Sequence, residues 1–188
     1  VLYYSTNGTD WTNQLGFLSD LPVCEWNDGS QIPMPTSASS LPSVPETFGV
    51  HCDPYANVKQ IRMAQNGLNG RLPWEMSLFL DLQVLGVDQN TLQGSIPSQL
   101  GRVMDMRMFY IDSNDMTGTI PTELGLWNDL ESLHANDNQF QGTLPTEFGQ
   151  LANLQDFYVY NNFLSGTVPS QLANNANVDV MFDPQQVP

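Results

Sequence analysis

Residues 154–172 read LQDFYVYNNFLSGTVPSQL, and the pattern of this stretch returns along most of the chain. Its second asparagine recurs at a constant interval, at Asn162, Asn138, Asn114, Asn90 and Asn66. The same interval separates the glycines Gly166, Gly142, Gly118, Gly94 and Gly70. It also separates the prolines Pro169, Pro145, Pro121, Pro97 and Pro73. Three residue types that return in phase five times define an internal repeat.

The apolar residues indicate what each 24-residue unit does. In the last complete unit they are Leu154, Phe157, Val159, Leu164, Val168 and Leu172. One unit cannot bury this apolar side alone, so successive units must stack and share one core. The residues before the asparagine alternate with period two, which predicts a half-buried strand. Stacked strands of this kind form a parallel sheet with a spacing of about 4.8 Å.

The unit follows L-x-x-L-x-L-x-x-N-x-L-x-G-x-I-P-x-x-L-G, which resembles the plant-type leucine-rich repeat. The resemblance covers residues 58–182, roughly two-thirds of the chain. It implies an α/β solenoid: a right-handed superhelix of 24-residue coils, with a concave parallel sheet and irregular or 3₁₀ turns outside. The asparagine falls where the chain turns inward after the strand. There we expect its amide to satisfy backbone groups of its own and neighbouring coils.

The chain divides into three regions on this reading. Residues 1–57 form an N-terminal cap, residues 58–177 form five repeats, and residues 178–188 form a truncated sixth repeat or a C-terminal cap. By the 24-residue step, Asp183 stands where an apolar residue belongs. Within the cap, residues 27–48 carry prolines among serines, which predicts an extended surface loop. The loop is either an inert expansion or a contact for a partner.

The only two cysteines, Cys24 and Cys52, lie in the cap. Together with Trp26 and Gly49-Val50 they resemble the W…C-x-W-x-G-V-x-C cap of extracellular plant-type leucine-rich repeat proteins, and the cap of algal secreted repeat proteins is similar. The resemblance implies a Cys24–Cys52 disulfide, Trp26 over the first coil, and an edge strand that begins at Gly49. Closing this loop would stabilise the fold by about 3–4 kcal/mol and implies an oxidising compartment. Two unpaired thiols are the alternative.

The charge is strongly unbalanced, with 20 acidic against 5 basic residues and a net charge of −15. Because nucleic-acid binding needs a basic surface, we expect no nucleic-acid partner. All the basic residues precede residue 108, which favours a cationic partner for the later repeats or serves solubility alone. The chain has no apolar run long enough to cross a bilayer, so we expect no membrane span. Asn7 begins a glycosylation sequon, Asn7-Gly8-Thr9.

Strand residues that alternate with the buried ones should form the concave face. One predicted column, which lies four positions before each asparagine, is Arg62, Gly86, Tyr110, His134 and Tyr158, with Phe182 added from the last strand. The next column is Ala64, Asp88, Asp112, Asn136 and Tyr160. Exposed aromatic side chains in such a row predict a binding surface, and stacking for sheet stability is the alternative. The predicted binding residues are Arg62, Asp88, Tyr110, Asp112, His134, Asn136, Tyr158, Tyr160 and Phe182.

Asp88 and Asp112 suggest two other kinds of chemistry. Carboxylates on neighbouring strands, about 5 Å apart, match the pair of a retaining glycosidase. With His134 and Asn136 they could also hold a hard cation. An open sheet offers no cleft to desolvate such a pair, so we expect no catalytic residue, metal or cofactor. Phosphate-binding, dinucleotide-binding and hydrolase motifs are absent from the sequence.

We therefore predict a non-catalytic extracellular recognition module, a monomer that binds a protein, peptide or glycan on its concave face. This prediction follows the resemblance to the short ectodomains of plant co-receptor kinases and to secreted polygalacturonase-inhibiting proteins. One alternative is a structural cell-wall or adhesion protein that binds polysaccharide. A remote alternative is a glycosidase-like enzyme that uses Asp88 and Asp112.

Overall fold

The computed structural model describes Thr6, Asn7, Asp10, Cys24, residues 48–173 and residues 178–183. Strands are numbered in chain order. In the described residues the concave sheet consists of β1 Gly49–Cys52, β2 Val58–Arg62, β4 Val84–Gly86, β6 Met108–Tyr110, β8 Ser132–His134, β10 Asp156–Tyr158 and β12 Asp179–Met181. A second sheet consists of β3 Asn69–Arg71, β5 Thr91–Gly94, β7 Asp115–Gly118, β9 Gln139–Thr143 and β11 Phe163–Ser165.

Short helical turns lie between the second sheet and the next concave strand. They are 3₁₀ turns at Trp74–Leu78, Ser98–Arg102, Thr122–Leu126 and Thr146–Gln150, and one α-helical turn, α1, at Ser170–Ala173. Each 3₁₀ turn follows the proline of its repeat, for example Pro97 before Ser98. Proline fixes φ at this position, so it ends the preceding extended segment at a defined angle.

Every coil packs against the coils before and after it. In both sheets the strands of successive coils are parallel neighbours, and the concave sheet keeps the period of the repeat from Gln60↔Val84 to Tyr158↔His134. Parallel crossovers of this kind are right-handed. The predicted solenoid with a concave parallel sheet and 3₁₀ turns outside is confirmed. The second sheet was not predicted.

The repeated apolar positions form one continuous core. Leu154, Phe157, Val159, Leu164, Val168 and Leu172 are each at most 9% exposed, as their period predicts. Trp127 is fully buried and meets Phe109 edge-on, with 5.2 Å between ring centroids. Its indole N–H donates to the Leu100 carbonyl at 3.1 Å, so this large side chain leaves no buried donor unpaired.

The repeated asparagines connect each coil to the coil before it. The Asn114 Nδ2 donates to the carbonyls of Val87, Ile111 and Asp112, each at 3.1 Å, and its Oδ1 accepts from the Leu92 N–H at 2.9 Å. Asn90, Asn138 and Asn162 make the equivalent contacts. The predicted role of the asparagine is confirmed. Its amide pairs backbone groups that the turn would otherwise bury without a partner.

Glycine is required where successive 3₁₀ turns touch. A Cβ added at Gly101 would lie 2.5 Å from the Glu123 carbonyl oxygen, and one added at Gly125 would lie 2.4 Å from the Glu147 Cβ. Neither distance is possible for real atoms, so glycine at this position lets the coils approach closely.

The cap is attached to the first coils by a disulfide and by an edge strand. Cys24 and Cys52 are bonded, as the resemblance implied, and β1 pairs antiparallel with β2. Thr6 is fully buried, and its carbonyl accepts the Asn69 N–H at 3.0 Å. Trp26 and residues 27–47 lie outside the described residues. Phe48, the last residue of the predicted loop, packs against the core.

The last described strand corrects one prediction. Its register pairs Tyr158 with Met181, one position short of the repeat period, so the side chains of this strand are shifted. Phe182 therefore packs against the core and does not continue the aromatic column. Asp183 does not take the apolar position either. Its carboxylate accepts the backbone N–H groups of Asn161 and Asn162, at 3.0 and 3.3 Å.

Within the part of the chain that the structure describes, no helix has the length and apolar character to cross a membrane.

Candidate functional site

Three aromatic side chains lie in one row on the concave face. The parallel register places Tyr110, His134 and Tyr158 side by side on β6, β8 and β10. The Tyr110 and His134 ring centroids are 4.7 Å apart at an angle of 38°, and those of His134 and Tyr158 are 4.4 Å apart at 21°. The predicted row therefore exists over these three strands. Tyr158 stacks on one face of the His134 ring and Tyr110 packs at a tilt on the other, so His134 itself presents mainly its ring edge.

This packing favours the neutral form of His134. Its Nε2 is buried and has no hydrogen-bond partner among the described residues. Burial lowers the pKa of His134, although the nearby carboxylates of Asp112 and Asp156 act in the opposite direction. Burial outweighs these charges because a cationic imidazolium between two rings would lose most of its hydration.

Tyr158 is oriented by a carboxylate from the last described strand. Its hydroxyl donates to Asp179 Oδ2 at 2.8 Å, and this bond raises the pKa of Tyr158 to about 12. Asp179 thereby fixes the direction of the Tyr158 hydroxyl. Asp179 was not among the predicted site residues, because the 24-residue step places it out of phase with the concave columns.

A pocket of about 420 Å³ opens beside the aromatic row, over β2, β4 and β6. It is lined by Phe48, Arg62, Ala64, Gln65, Gly86, Asp88, Gln89, Tyr110, Asp112 and His134. Its size falls in the range of ligand-binding pockets, which is roughly 300–1,000 Å³. The expectation of an open sheet without a cleft is therefore wrong for this half of the concave face.

Gly86 forms the floor of the pocket. It occupies the position in the middle column between Arg62 and Tyr110. A Cβ added there would lie 3.6 Å from Asp88 Oδ1 and 3.9 Å from Tyr110 Cδ2, which are ordinary contacts. Its φ is not in the left-handed region either. The fold therefore does not require glycine at this position, and the missing side chain leaves the space open.

The two predicted acids lie at the same pocket. Asp88 and Asp112 both line it. Burial raises the pKa of Asp112, and His134 and a 3.3 Å hydrogen bond from the Ser113 hydroxyl partly oppose that rise. Burial likewise raises the pKa of Tyr110. Among the described residues no group of three or more His, Cys, Asp or Glu side chains is arranged to hold a metal ion.

Some of the other predicted site residues are accessible to a ligand, and others are buried or already hydrogen-bonded within the protein. Arg62 lines the pocket, and its Nε donates to Gln60 Oε1 at 3.2 Å. Tyr160 is half-buried beside the row. Asn136 is only 6% exposed and donates to Asp137 Oδ2 at 2.7 Å, so it offers little to a ligand. Asn7 is exposed, and its amide nitrogen donates to Asp10.

Charge is uneven across this face. Lys59 pairs with Asp81 at 3.0 Å and Arg107 pairs with Glu131, which leaves both bases neutralised at the side of the sheet. Beyond Arg107 the sequence holds no further base. The later coils are therefore negative, and the pocket has two carboxylates against one guanidinium.

Comparison with known proteins agrees with this architecture. The family model described as Leucine Rich Repeat matches residues 129–151. No curated protein matches the chain.

Solved structures give broader matches. The leucine-rich repeat ectodomain of the Arabidopsis thaliana receptor kinase GASSHO1/SCHENGEN3, in complex with CASPARIAN STRIP INTEGRITY FACTOR 2, is 36% identical over 66% of this chain, with a TM-score of 0.63. The Arabidopsis receptor kinase HAESA, with a peptide hormone ligand, is 26% identical over 73%, with a TM-score of 0.56. The chain spans only 15% and 28% of those two proteins. A chain of the BIR3–SERK2 complex from Arabidopsis thaliana is 25% identical, with coverage of 99% and 96% and a TM-score of 0.68.

The repeat and the two sheets define the class of fold: the chain has the fold of a leucine-rich repeat solenoid, and residues 129–151 match the family model. Within that class, it has the fold of plant receptor ectodomains and matches a chain of the BIR3–SERK2 complex over nearly the whole length of both.

Proposed function

We propose that this protein is a non-catalytic extracellular recognition module that binds a peptide or an extended protein segment across its concave sheet. The observation that carries the proposal is the stacked row of Tyr110, His134 and Tyr158 next to an open pocket. Aromatic side chains at the centre of an interface supply much of its binding energy. The disulfide supports an oxidising, extracellular location.

A peptide fits the geometry better than a polysaccharide. A sugar ring usually binds by stacking on an open aromatic face, but His134 is covered by its two neighbours, and the open face of Tyr110 borders a pocket lined by two carboxylates and a guanidinium. Ring edges and the hydroxyl groups suit the amides and apolar side chains of an extended segment. The HAESA ectodomain, which shares the fold, is described with a peptide hormone ligand, and this also favours a peptide.

Catalysis is not part of the proposal. Asp88 and Asp112 lie at the pocket, but the buried Nε2 of His134 has no hydrogen-bonded nucleophile beside it among the described residues. A retaining glycosidase needs one carboxylate as nucleophile and one as acid, on opposite sides of the bond that breaks. Here both acids lie in the same column of one sheet.

Selection from a displayed peptide library, run beside a glycan array, tests the proposal. We expect peptides to be selected, and Tyr110→Ala with Tyr158→Ala to weaken their binding at least thirtyfold, a loss of about 2 kcal/mol. The matched control is Gln93→Ala with Gln141→Ala, two exposed positions on the second sheet, which should bind as wild type. Binding that survives the tyrosine pair and depends on residues 27–47 instead would contradict the proposal.

A further inference from the structure

The pocket over Gly86 combines an aromatic ring with charged side chains, whereas the aromatic row consists of rings alone. On one side Tyr110 packs against the His134 ring at an angle of 38°. On its other side the neighbour in the column is Gly86, which has no side chain. One face of the Tyr110 ring therefore borders the empty space. Asp88 lies close to the same space, since its Oδ1 is 3.6 Å from the position of a Cβ at Gly86.

This combination of groups selects for positive charge. An aromatic face attracts a cation through its ring quadrupole, and a carboxylate forms short hydrogen bonds with ammonium or guanidinium donors. The lining carries two carboxylates and one guanidinium, so a cationic group would bring the net charge of the filled pocket to zero. The Asp112 carboxylate accepts a 3.3 Å bond from the Ser113 hydroxyl, and its oxygens have the capacity to accept further donors.

We propose that the Gly86 pocket is a specificity subsite for one lysine or arginine side chain of the ligand. The cationic group lies between Asp88 and Asp112, and its aliphatic stem packs on the open face of Tyr110. Gly86 is a specificity-determining residue in this arrangement because any large side chain would fill the space. This inference rests on the proposed function, since it assigns one side chain of the ligand that the concave face is proposed to bind.

Small probes test the subsite directly. Nα-acetyl-arginine amide and Nα-acetyl-lysine amide are titrated against the protein and followed by NMR, with the uncharged isostere Nα-acetyl-citrulline amide and methyl glucoside in parallel. We expect the two cationic probes to bind at least tenfold more tightly than the citrulline probe, and to shift the signals of Gly86, Asp112 and Tyr110. Citrulline or glucoside bound as tightly as arginine would overturn the proposal.

Two variants keep the test specific to the pocket. Gly86→Leu fills the space, and Asp112→Asn removes one charge without changing shape; each should weaken the arginine probe at least tenfold. Gln141→Leu, at an exposed position of the second sheet, is the matched control for the added apolar side chain. Thermal unfolding confirms that each variant folds, and wild-type affinity in both pocket variants would overturn the assignment.

The library selection separates this inference from the proposed function. Selected peptides that depend on Tyr110 and Tyr158 but ignore Gly86→Leu, and that show no enrichment of lysine or arginine, would leave the recognition face standing and remove the subsite. Conversely, a protein that selects no peptide but binds the arginine probe in a Gly86-dependent way would keep the subsite and remove the proposed function.

Discussion

At the scale of single residues, Asn114 satisfies several backbone groups at once. Its one amide group contacts three carbonyls and one N–H, which belong to two coils. The regular recurrence of asparagine was enough to predict this role, because a turn into the core leaves backbone groups that only a short amide side chain can reach. The residue before each asparagine was not predicted to be unusual, yet Ser113 and its counterparts have a positive φ.

We predict that Asn114→Ala lowers the free energy of unfolding by about 1–3 kcal/mol or more, because buried carbonyls lose their donor. Asn69→Ala is the matched control, since Asn69 is exposed on β3 and its replacement should change little. Urea denaturation of both variants measures the difference. Equal losses would mean that the amide is not what connects the coils.

His134 gives the protein a defined sensitivity to acid. Burial holds its pKa below the usual value of 6.5, so the folded state binds a proton less readily than the unfolded chain. The stability that this contributes is present above about pH 6.5 and is lost as the pH falls below it. We expect the thermal midpoint to fall between about pH 7.5 and about pH 5.5, and to fall less in His134→Phe, which keeps the stacked ring.

A pH profile of the thermal midpoint that is unchanged in His134→Phe would contradict the assignment.

At the scale of elements, the period predicted the concave strands and missed two features. The second sheet consists of strands of three to five residues, four of which contain a repeated glycine, so its alternation is too short to predict from sequence. The last strand falls one position short of the period, and a shift of one exchanges inward and outward side chains. For this reason Phe182 was placed on the wrong face, while Tyr110, His134 and Tyr158 were placed correctly.

The pocket could have been read from one column and was not. Gly86 stands in the middle of a column of large side chains, and a gap in such a column is a cavity on the sheet. The pocket follows from the side chain that is missing at Gly86, whereas the prediction used only the side chains that are present. Asn136, by contrast, is buried and donates to Asp137, and sequence spacing does not show either feature.

Two glycines allow a prediction about how closely the elements pack. Gly101→Ala should destabilise the fold by about 1–3 kcal/mol, because its Cβ would collide with the backbone of the next 3₁₀ turn. Gly86→Ala should be tolerated, since its Cβ makes only ordinary contacts. Thermal unfolding of the two variants compares them. A larger loss for Gly86→Ala would show that the pocket is needed for the fold.

At the scale of the whole molecule, the disulfide ties the cap to the start of the array. Cys24 and Cys52 are 28 residues apart, and closing a loop of that length stabilises a fold by about 3.5 kcal/mol. We predict that reduction and alkylation lower the free energy of unfolding by roughly this amount. Denaturation with and without reductant measures it, and an unchanged midpoint would mean that the cap contributes little to stability.

The charge of the molecule makes binding depend on salt. With a net charge of −15 and no base after Arg107, the later coils should attract a cationic segment over a long range. We predict that a selected peptide binds at least tenfold more weakly at about 0.5 M salt than at about 0.05 M, because screening shortens to a few ångströms. An uncharged glycan would bind equally at both, so an affinity indifferent to salt would count against a cationic ligand.

Because the asparagine contacts are the same in successive coils, one coil could take the place of another in the stack. In each coil the asparagine Oδ1 accepts from the N–H 22 residues earlier, and the Nδ2 donates to the carbonyl 27 residues earlier. A copy of residues 115–138 inserted after Asn138 would therefore form the same asparagine hydrogen bonds with the coil before it and the coil after it. It would lengthen the concave face by one strand spacing, about 4.8 Å. Gene duplication alone could thus change the length of the concave face in steps of one coil. A short array and a long array would differ in length but have the same contacts between coils.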